Sequence, residues 1–284
     1  MPFLRAASER FAVTLVAKPH AAPLLARFVP AVELVAFVAP WTAFSGKYRL
    51  HRWPWREMVR LRRTLRARGF HVGVSARPDP RDHLLLALAG PQRQIGFPRT
   101  GSRVLLTDAI AGPARPHRAE HWRALAAKLG WSLNPAPPSS ARSGRRIVIH
   151  RGAGHPVRIW PHERFDVLAS RLRAAGWEVA IVDDPTTDLT TLLNQLAAAD
   201  YFIGNDSGPG HLAALLGVPT FTIFGPQLPE LFAPQHPQAA WIEGDACPHK
   251  PCFDHCRFPA PHCIRNVSAD DVWASVSRWL AALN

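Results

Sequence analysis

Tyr201-Phe-Ile-Gly-Asn-Asp-Ser-Gly-Pro-Gly-His-Leu-Ala-Ala-Leu-Leu-Gly-Val-Pro-Thr-Phe-Thr-Ile-Phe-Gly-Pro226 is the stretch that decides the fold. Tyr201–Ile203 is a short apolar run, the pattern of a strand buried on both faces. A loop of small and polar residues follows. His211–Leu216 reads as a helix stopped by Gly217, and Thr220–Phe224 as a second buried strand. Strand, tight loop, helix and strand form the unit of a parallel α/β sheet, and such sheets bind ligands beyond the carboxyl ends of their strands. The loop thus lies at the positive end of a helix, where free N–H groups make a phosphate seat. Asp206 and Ser207 can hold sugar hydroxyls, and His211, expected with Asp206 to face solvent, can reach a phosphate or hydroxyl. Gly208 and Gly210 let a ligand approach the backbone. An Asp-Ser pair at such a turn is equally a helix cap. The second small-residue loop, Phe224-Gly-Pro-Gln-Leu-Pro229, tips the reading toward a bipartite site.

Upstream, Val148-Ile-His-Arg-Gly-Ala-Gly-His-Pro-Val-Arg-Ile-Trp-Pro-His-Glu-Arg-Phe165 repeats the design. A strand at Arg146–His150 ends in Gly152, Ala153 and Gly154. Arg158 then offers a cation for a diphosphate, and Trp160-Pro161 leads into a helix over His162–Ala175. Val179–Val182 reads as a strand, Asp188–Ala199 as a helix, and Ala269–Leu283 as a closing amphipathic helix. Asp184 and Asp188 are candidates for a ribose hydroxyl, or else loop and helix-capping acids.

The first half alternates in the same way. Val13–Val16, Val32–Phe37, Val72–Ser75 and Arg93–Gly96 read as strands, with helices at Pro54–Arg68, Arg81–Ala89 and His117–Leu129. A Pro-, Ser- and Gly-rich segment, Asn134–Gly144, separates the halves. The expected organisation is an acceptor-side domain over 1–133, a linker over 134–145 and a nucleotide-sugar domain over 146–284.

The 284 residues suit two α/β domains, each able to bury a core. With 47% apolar residues the chain is globular. Its most apolar run, 21–44, is interrupted by Arg27, Glu33 and three prolines, which argues against a membrane span. The start of the chain lacks a signal-peptide pattern, so the expected location is cytoplasmic. Net charge is +13, from 34 basic residues against 21 acidic ones, and such a surface attracts polyanions. No RNA-binding motif, zinc-finger spacing or helix-turn-helix pattern accompanies it, so nucleic acid is not the expected partner. Arg52–Arg68 carries seven arginines and two tryptophans, a composition suited to an anionic membrane surface or phosphorylated lipid, or to a solvated helix face. All four cysteines, Cys247, Cys252, Cys256 and Cys263, fall in one segment. They form either a structural zinc site or a set of reduced thiols, with His249, His255 and His262 as alternative ligands.

Asp206-Ser-Gly-Pro-Gly-His211, Ala213-Ala214, Gly217-Val-Pro219, Phe224-Gly-Pro226 and Arg158-Ile-Trp-Pro-His-Glu-Arg-Phe165 together resemble glycosyltransferase family nine, the heptosyltransferases of lipopolysaccharide synthesis. Leu65-Arg-Ala-Arg-Gly-Phe70 and Gln94-Ile-Gly-Phe97 extend the resemblance into the first half. It implies a GT-B-like α/β fold, with two Rossmann-like domains whose parallel sheets face each other across a cleft. It implies inverting transfer of a heptose-like sugar from a nucleotide diphosphate sugar, ADP-heptose-like, to a lipopolysaccharide-type glycolipid at the cytoplasmic face of the inner membrane, with no metal needed for the chemistry. Asp206, Ser207, Gly208 and His211 would hold the donor, Gly152, Ala153 and Gly154 would line it, and Arg158 would stand where the family has a phosphate-binding Lys. The family's opening strand and the loop with its catalytic Asp have no counterpart in this sequence, so no catalytic residue is assigned. A degenerate domain that binds sugar nucleotide or glycolipid without turnover is the alternative.

Overall fold

The computed structural model describes residues 1–43, 48–113, 117–133, 144–253 and 255–283. The chain divides into two compact units, Met1–Leu133 and Asn134–Asn284. Residues 134–143 of the expected linker lie outside the described residues.

The first unit runs α1 (Pro2–Ser8), β1 (Thr14–Ala17), α2 (Ala22–Phe28), β2 (Glu33–Ala36), α3 (Trp55–Ala67), β3 (Val72–Ser75), α4 (Pro80–Ala89), β4 (Arg93–Gly96), β5 (Asp108–Ala109) and α5 (Arg118–Lys128). β1 and β2 pair in parallel, Thr14 opposite Glu33, as one small sheet. β3, β4 and β5 pair in parallel as another. Among the described residues no ladder joins the two sheets. They share an apolar cluster instead, in which Phe3, Ala7, Ile95 and Leu125 pack with Val13, Val72 and Val74. On α3 the buried side chains Leu61 and Leu65 are four residues apart, on one face.

The second unit runs β6 (Arg146–His150), α6 (His162–Ala174), β7 (Glu178–Ile181), α7 (Leu189–Ala197), β8 (Tyr201–Asn205), α8 (Gly208–Leu215), β9 (Thr220–Phe224), α9 (Pro229–Phe232), β10 (Ala240–Glu243), α10 (His262–Arg265) and α11 (Ala269–Ala281). Its five strands form one all-parallel sheet in the order β10-β9-β8-β6-β7. Period-two alternation sorts the side chains. Ile147, Ile149, Ile203, Phe221 and Ile223 pack on α6 and α11 through Phe165, Leu168, Leu172, Val272 and Val276. Val148 and Phe202 point to the other face, against Leu196, Ala213 and Val218. After β7 the chain returns to the far side of β6 to lay down β8. The sheet order therefore reverses between β6 and β8, and their carboxyl ends are where a crevice opens in such a sheet.

Candidate functional site

β6 ends at His150 and β8 at Asn205, side by side in the sheet, with His150 opposite Gly204. Asn205 is fully buried. Its Nδ2 donates to the carbonyls of Arg151 at 2.6 Å and Gly152 at 3.4 Å, while its Oδ1 accepts from the backbone N–H of Trp160 at 3.0 Å. One carboxamide thus ties the loop after β6, the entry to α6 and the loop after β8 together. A buried amide is tolerated only when paired in this way. Asn205 is not among the site residues expected from the sequence. Its signal was there: a carboxamide closing an otherwise apolar strand must find partners.

The loop after β6 is held on three sides. Arg151 donates to Asp183 at 2.6 Å and to Asp166 at 2.8 Å, so its guanidinium is committed to the scaffold. Gly152 lies against His150, and a Cβ there would sit 3.0 Å from the imidazole. Burial pushes the His150 imidazole below its ordinary pKa, against the opposing charge of Asp183. Gly154 meets open space. Trp160 is fully buried, donates through Nε1 to the carbonyl of Val267 at 2.8 Å, and meets Phe165 edge-on at 4.8 Å. That anchor, two residues on, fixes the short 3₁₀ turn Pro156–Arg158 that carries Arg158.

Arg158 reaches Asp206, Nη1 to Oδ2, at 3.4 Å. Asp206 is only 5% exposed, and its N–H donates to Ile223 at 3.3 Å. The expectation of a solvent-facing Asp206 is corrected: adjacent buried strands pull it inward. His211 is exposed as expected. The helix also begins earlier than expected, at Gly208 and not at His211. Pro209 sits in its first turn, where a fixed φ favours helix and a missing N–H costs nothing. His211 is therefore the fourth residue of the helix, at the end of its first turn.

Ser207 is the N-cap of α8 yet makes no side-chain capping bond. Its Oγ is buried and has no hydrogen-bond partner among the described residues. First-turn N–H groups have no carbonyl four residues back, so the helix start is left open to an anion. Gly208 is exposed, and a Cβ there would meet nothing within 4 Å. Gly210 is different. It is buried, and a Cβ on it would make ordinary contacts with Phe202 at 3.4 Å and Pro234 at 3.6 Å, so it faces packed side chains where Gly208 faces open space.

In the second small-residue loop, Gly225 is required by Ile264, whose Cβ would lie 2.5 Å from an added methyl. Gln227 is 1% exposed, and neither end of its carboxamide has a partner among the described residues. Unsatisfied buried amides are rare in native proteins and mark places where a ligand or water completes the set. Gln227 too is not among the site residues expected from the sequence.

The two carboxylates considered for a ribose are engaged locally. Asp184 accepts from the N–H and hydroxyl of Thr186. Asp188 caps α7 through the N–H groups of Thr190 and Thr191 and the Thr191 hydroxyl. Asp184 is therefore a loop acid and Asp188 a helix cap.

In the cysteine segment, Cys252 donates its backbone N–H to Pro226 at 3.1 Å, which ties the segment to the loop after β9. Burial, with Cys247 and Cys256 nearby, raises the Cys252 thiol. The same causes push Cys263 up to about 11. Among the described residues no group of three or more His, Cys, Asp or Glu is placed to hold a metal ion.

Residues 184–261, spanning β8, α8, β9 and most of the cysteine segment, match the family model described as glycosyltransferase family 9 (heptosyltransferase). Lipopolysaccharide heptosyltransferase 3 of Escherichia coli is 26% identical over a stretch that covers 31% of this chain and 37% of that protein. Glycosyl transferase family 9 from Veillonella parvula superposes with a TM-score of 0.76 at 17% identity, covering 99% of this chain and 92% of the other. E. coli heptosyltransferase WaaC, solved with ADP-2-deoxy-2-fluoro heptose, superposes with a TM-score of 0.70 at 17% identity, covering 98% and 94%. The chain is heptosyltransferase-like in sequence and has a GT-B-type α/β fold with two Rossmann-like units.

Proposed function

We propose that this chain transfers a heptose-like sugar, with inversion, from a nucleotide diphosphate sugar to a lipopolysaccharide-type glycolipid. The observation that carries the reading is the open N-terminus of α8, flanked by Arg158 and Asp206 at the point where the sheet order reverses. The relative solved with an ADP-sugar analogue supports a nucleotide sugar as the ligand class.

The chemistry follows from charge. A hydroxyl of the acceptor attacks the anomeric carbon as the nucleoside diphosphate departs, and negative charge grows on the leaving phosphate. Arg158 and the first-turn N–H groups of α8 are preorganised donors for that charge. Asp206, itself anionic, is better suited to sugar hydroxyls than to phosphate, with Ser207 and His211 beside it. The loop Gly152-Ala153-Gly154 gives the donor room. A glycolipid acceptor sits in a membrane, so on this reading the chain works at the cytoplasmic face of that membrane. No helix among the described residues is long and apolar enough to cross one.

The test is binding before turnover. In a thermal-shift panel of ADP-, UDP- and GDP-sugars, one donor class should raise the unfolding temperature by mass action. Arg158→Ala, Asp206→Ala and His211→Ala should each weaken that donor by about 1.5–3 kcal/mol, the worth of one charge-assisted contact. Three variants that bind the donor as well as the parent does would move the site elsewhere. Zinc at Cys247, Cys252, Cys256 and Cys263 is a separate proposal. About one zinc per chain in protein purified without chelator, lost in Cys252→Ser, supports it. Four freely titratable thiols and no zinc remove it.

A further inference from the structure

α3 presents a cationic face that no acidic side chain among the described residues pairs with. Its core side is fixed by Leu61 and Leu65. At 100° per residue, Arg56, Arg60 and Arg63 then fall together on the opposite side, with Val59 among them. Trp55, Arg62 and Arg66 form the adjoining stripe. All seven are exposed, as is Arg52 just before the helix. Among the described residues Arg52, Arg56, Arg60, Arg62, Arg63 and Arg66 form no ion pair, whereas Arg68, past the helix's end, is paired with Glu33. Glu57 is the one acidic side chain on the helix.

Apolar groups stand among these cations. Trp55 is 50% exposed, Val59 46% and Leu50 55%. Trp55 is not loose: its Nε1 donates to the carbonyl of Leu50 at 2.9 Å. Its ring lies 5.5 Å from Trp53, and Trp53 lies 5.5 Å from the buried Trp41. A tryptophan held at the surface by a stack running into the core is a rigid amphipathic anchor of the kind found at lipid–water boundaries. Arginines around it supply attraction to anionic headgroups and let their stems lie along the acyl boundary.

We propose that the outer face of α3, with Leu50 and Trp55 at its start, docks the chain onto an anionic lipid bilayer. The proposal rests on the reading of a membrane-borne acceptor but concerns a different surface, since every residue named lies in the first unit. A nucleic acid would answer the arginines equally well but would leave Val59, Leu50 and Trp55 without a purpose. That favours lipid.

The experiment is co-sedimentation of the full chain with acceptor-free vesicles, phosphatidylcholine alone or with about one third phosphatidylglycerol, a composition whose surface attracts basic segments. Binding to the anionic vesicles should exceed binding to the neutral ones by at least tenfold, and added salt should weaken it. At roughly 1 kcal/mol per surface arginine, Arg56→Ala/Arg60→Ala/Arg63→Ala should lose on the order of a hundredfold. The same three positions changed to Lys should keep most of the binding. Alanine is a good helix former at exposed positions, and circular dichroism and donor thermal shift on the same protein check that the fold and donor site are intact. Trp55→Ala should lower vesicle binding further while leaving the salt response in place. Equal binding to both vesicle types, or an unaffected triple-alanine variant, overturns the proposal. So does a DNA duplex that binds more tightly than the vesicles and is lost with the same arginines. A chain that binds vesicles but no sugar nucleotide would sink the proposed activity and leave the docking surface standing.

Discussion

The two units are written in the same alternation of strand and helix, yet they close their sheets differently. In the second unit five strands form one ladder, and every residue of β8 and β9 is buried. In the first unit the strands fall into a pair and a trio, and β1 and β3 are only half-buried along their length. Of the largest fully buried side chains among the described residues, only Ile95 and Leu125 belong to the first unit. A parallel strand is normally covered on both faces and paired on both edges. Among the described residues β1 and β3 each pair along one edge only, and an open edge invites solvent or another strand. The difference teaches where rigidity is concentrated: the loops proposed to hold the nucleotide sugar spring from the continuous sheet.

The largest expected effect tests that difference directly. Phe165→Ala removes a fully buried ring from the core of the second unit and should cost about 3–5 kcal/mol. Ile95→Ala should cost about 2–5 kcal/mol in the first unit. With two transitions in denaturant, each substitution should move only its own, and the first unit should unfold earlier. Hydrogen exchange should protect the β8 amides longer than those of β1. A single transition lowered by both substitutions, or β1 amides as slow as those of β8, would erase the contrast.

Asn205→Ala comes next. It strands the Trp160 N–H and the Arg151 and Gly152 carbonyls, at about 1–3 kcal/mol for a buried group left unpaired. Donor affinity should fall along with stability, because Arg158 is placed by the same knot. The two losses can be separated by measuring binding well below the unfolding midpoint. Full donor affinity in the folded variant would show that Asn205 serves the fold alone.

Acid should act on both units, more on the first. His83 and His121 in the first unit and His150 in the second are all pushed below the ordinary histidine value of 6.5, chiefly by burial. Their unfolded forms take up protons first. Stability is therefore complete above about pH 6.5 and declines as pH falls toward the folded-state values. Asp82, raised by burial, works in the opposite direction: as pH falls its contribution sets in at its raised folded-state value and is complete near the ordinary 3.8. Between pH 7.5 and pH 5.5 the unfolding temperature should drop, and with two imidazoles against one the first unit's transition should drop further. A steeper loss in the second unit would contradict this account.

Much of this was legible where the sequence carries strong signals. β6, β3 and β4 have the bounds the sequence suggests, since each is a short run ended by glycine or a polar loop. α6 and α11 are clear from one apolar stripe apiece. The start of α8 was misplaced by three residues because His211 looked like the first helical side chain, although Pro209 marks an earlier start. α2 was missed because Ala22–Phe28 is apolar with a proline in its first turn and no polar stripe to show a period of 3.6. β10 was missed because it is an edge strand of four residues with Trp241 turned to solvent. Of the site, the anion seat and Arg158 were visible as residue types. Asn205 and Gln227 were not, because a carboxamide announces itself only once its burial is known.

The smallest effects separate carboxylates that cap helices from carboxylates that meet ligand, one in each unit. Asp79 caps α4 by accepting from the Arg81 N–H at 3.0 Å, and its carboxyl also holds the Arg81 guanidinium at 2.9 Å. Burial raises its pKa, but the bonds from Arg81 outweigh that and hold it below the usual carboxylate value. Asp79→Ala should lower the first unit's stability by about 1 kcal/mol, the ordinary worth of a cap. Asp79→Asn, which keeps an accepting oxygen, should recover part of that. Asp188 does the same work for α7 in the second unit from a fully exposed position. Asp188→Asn should shift the second transition only slightly and leave sugar-nucleotide binding at the parent's level, because both carboxylate oxygens already accept from Thr190 and Thr191. Calorimetry on the folded variants reads the two quantities separately. A clear loss of donor affinity in Asp188→Asn, without a matching loss of stability, would return Asp188 to the ribose and enlarge the site beyond the loops of β6, β8 and β9.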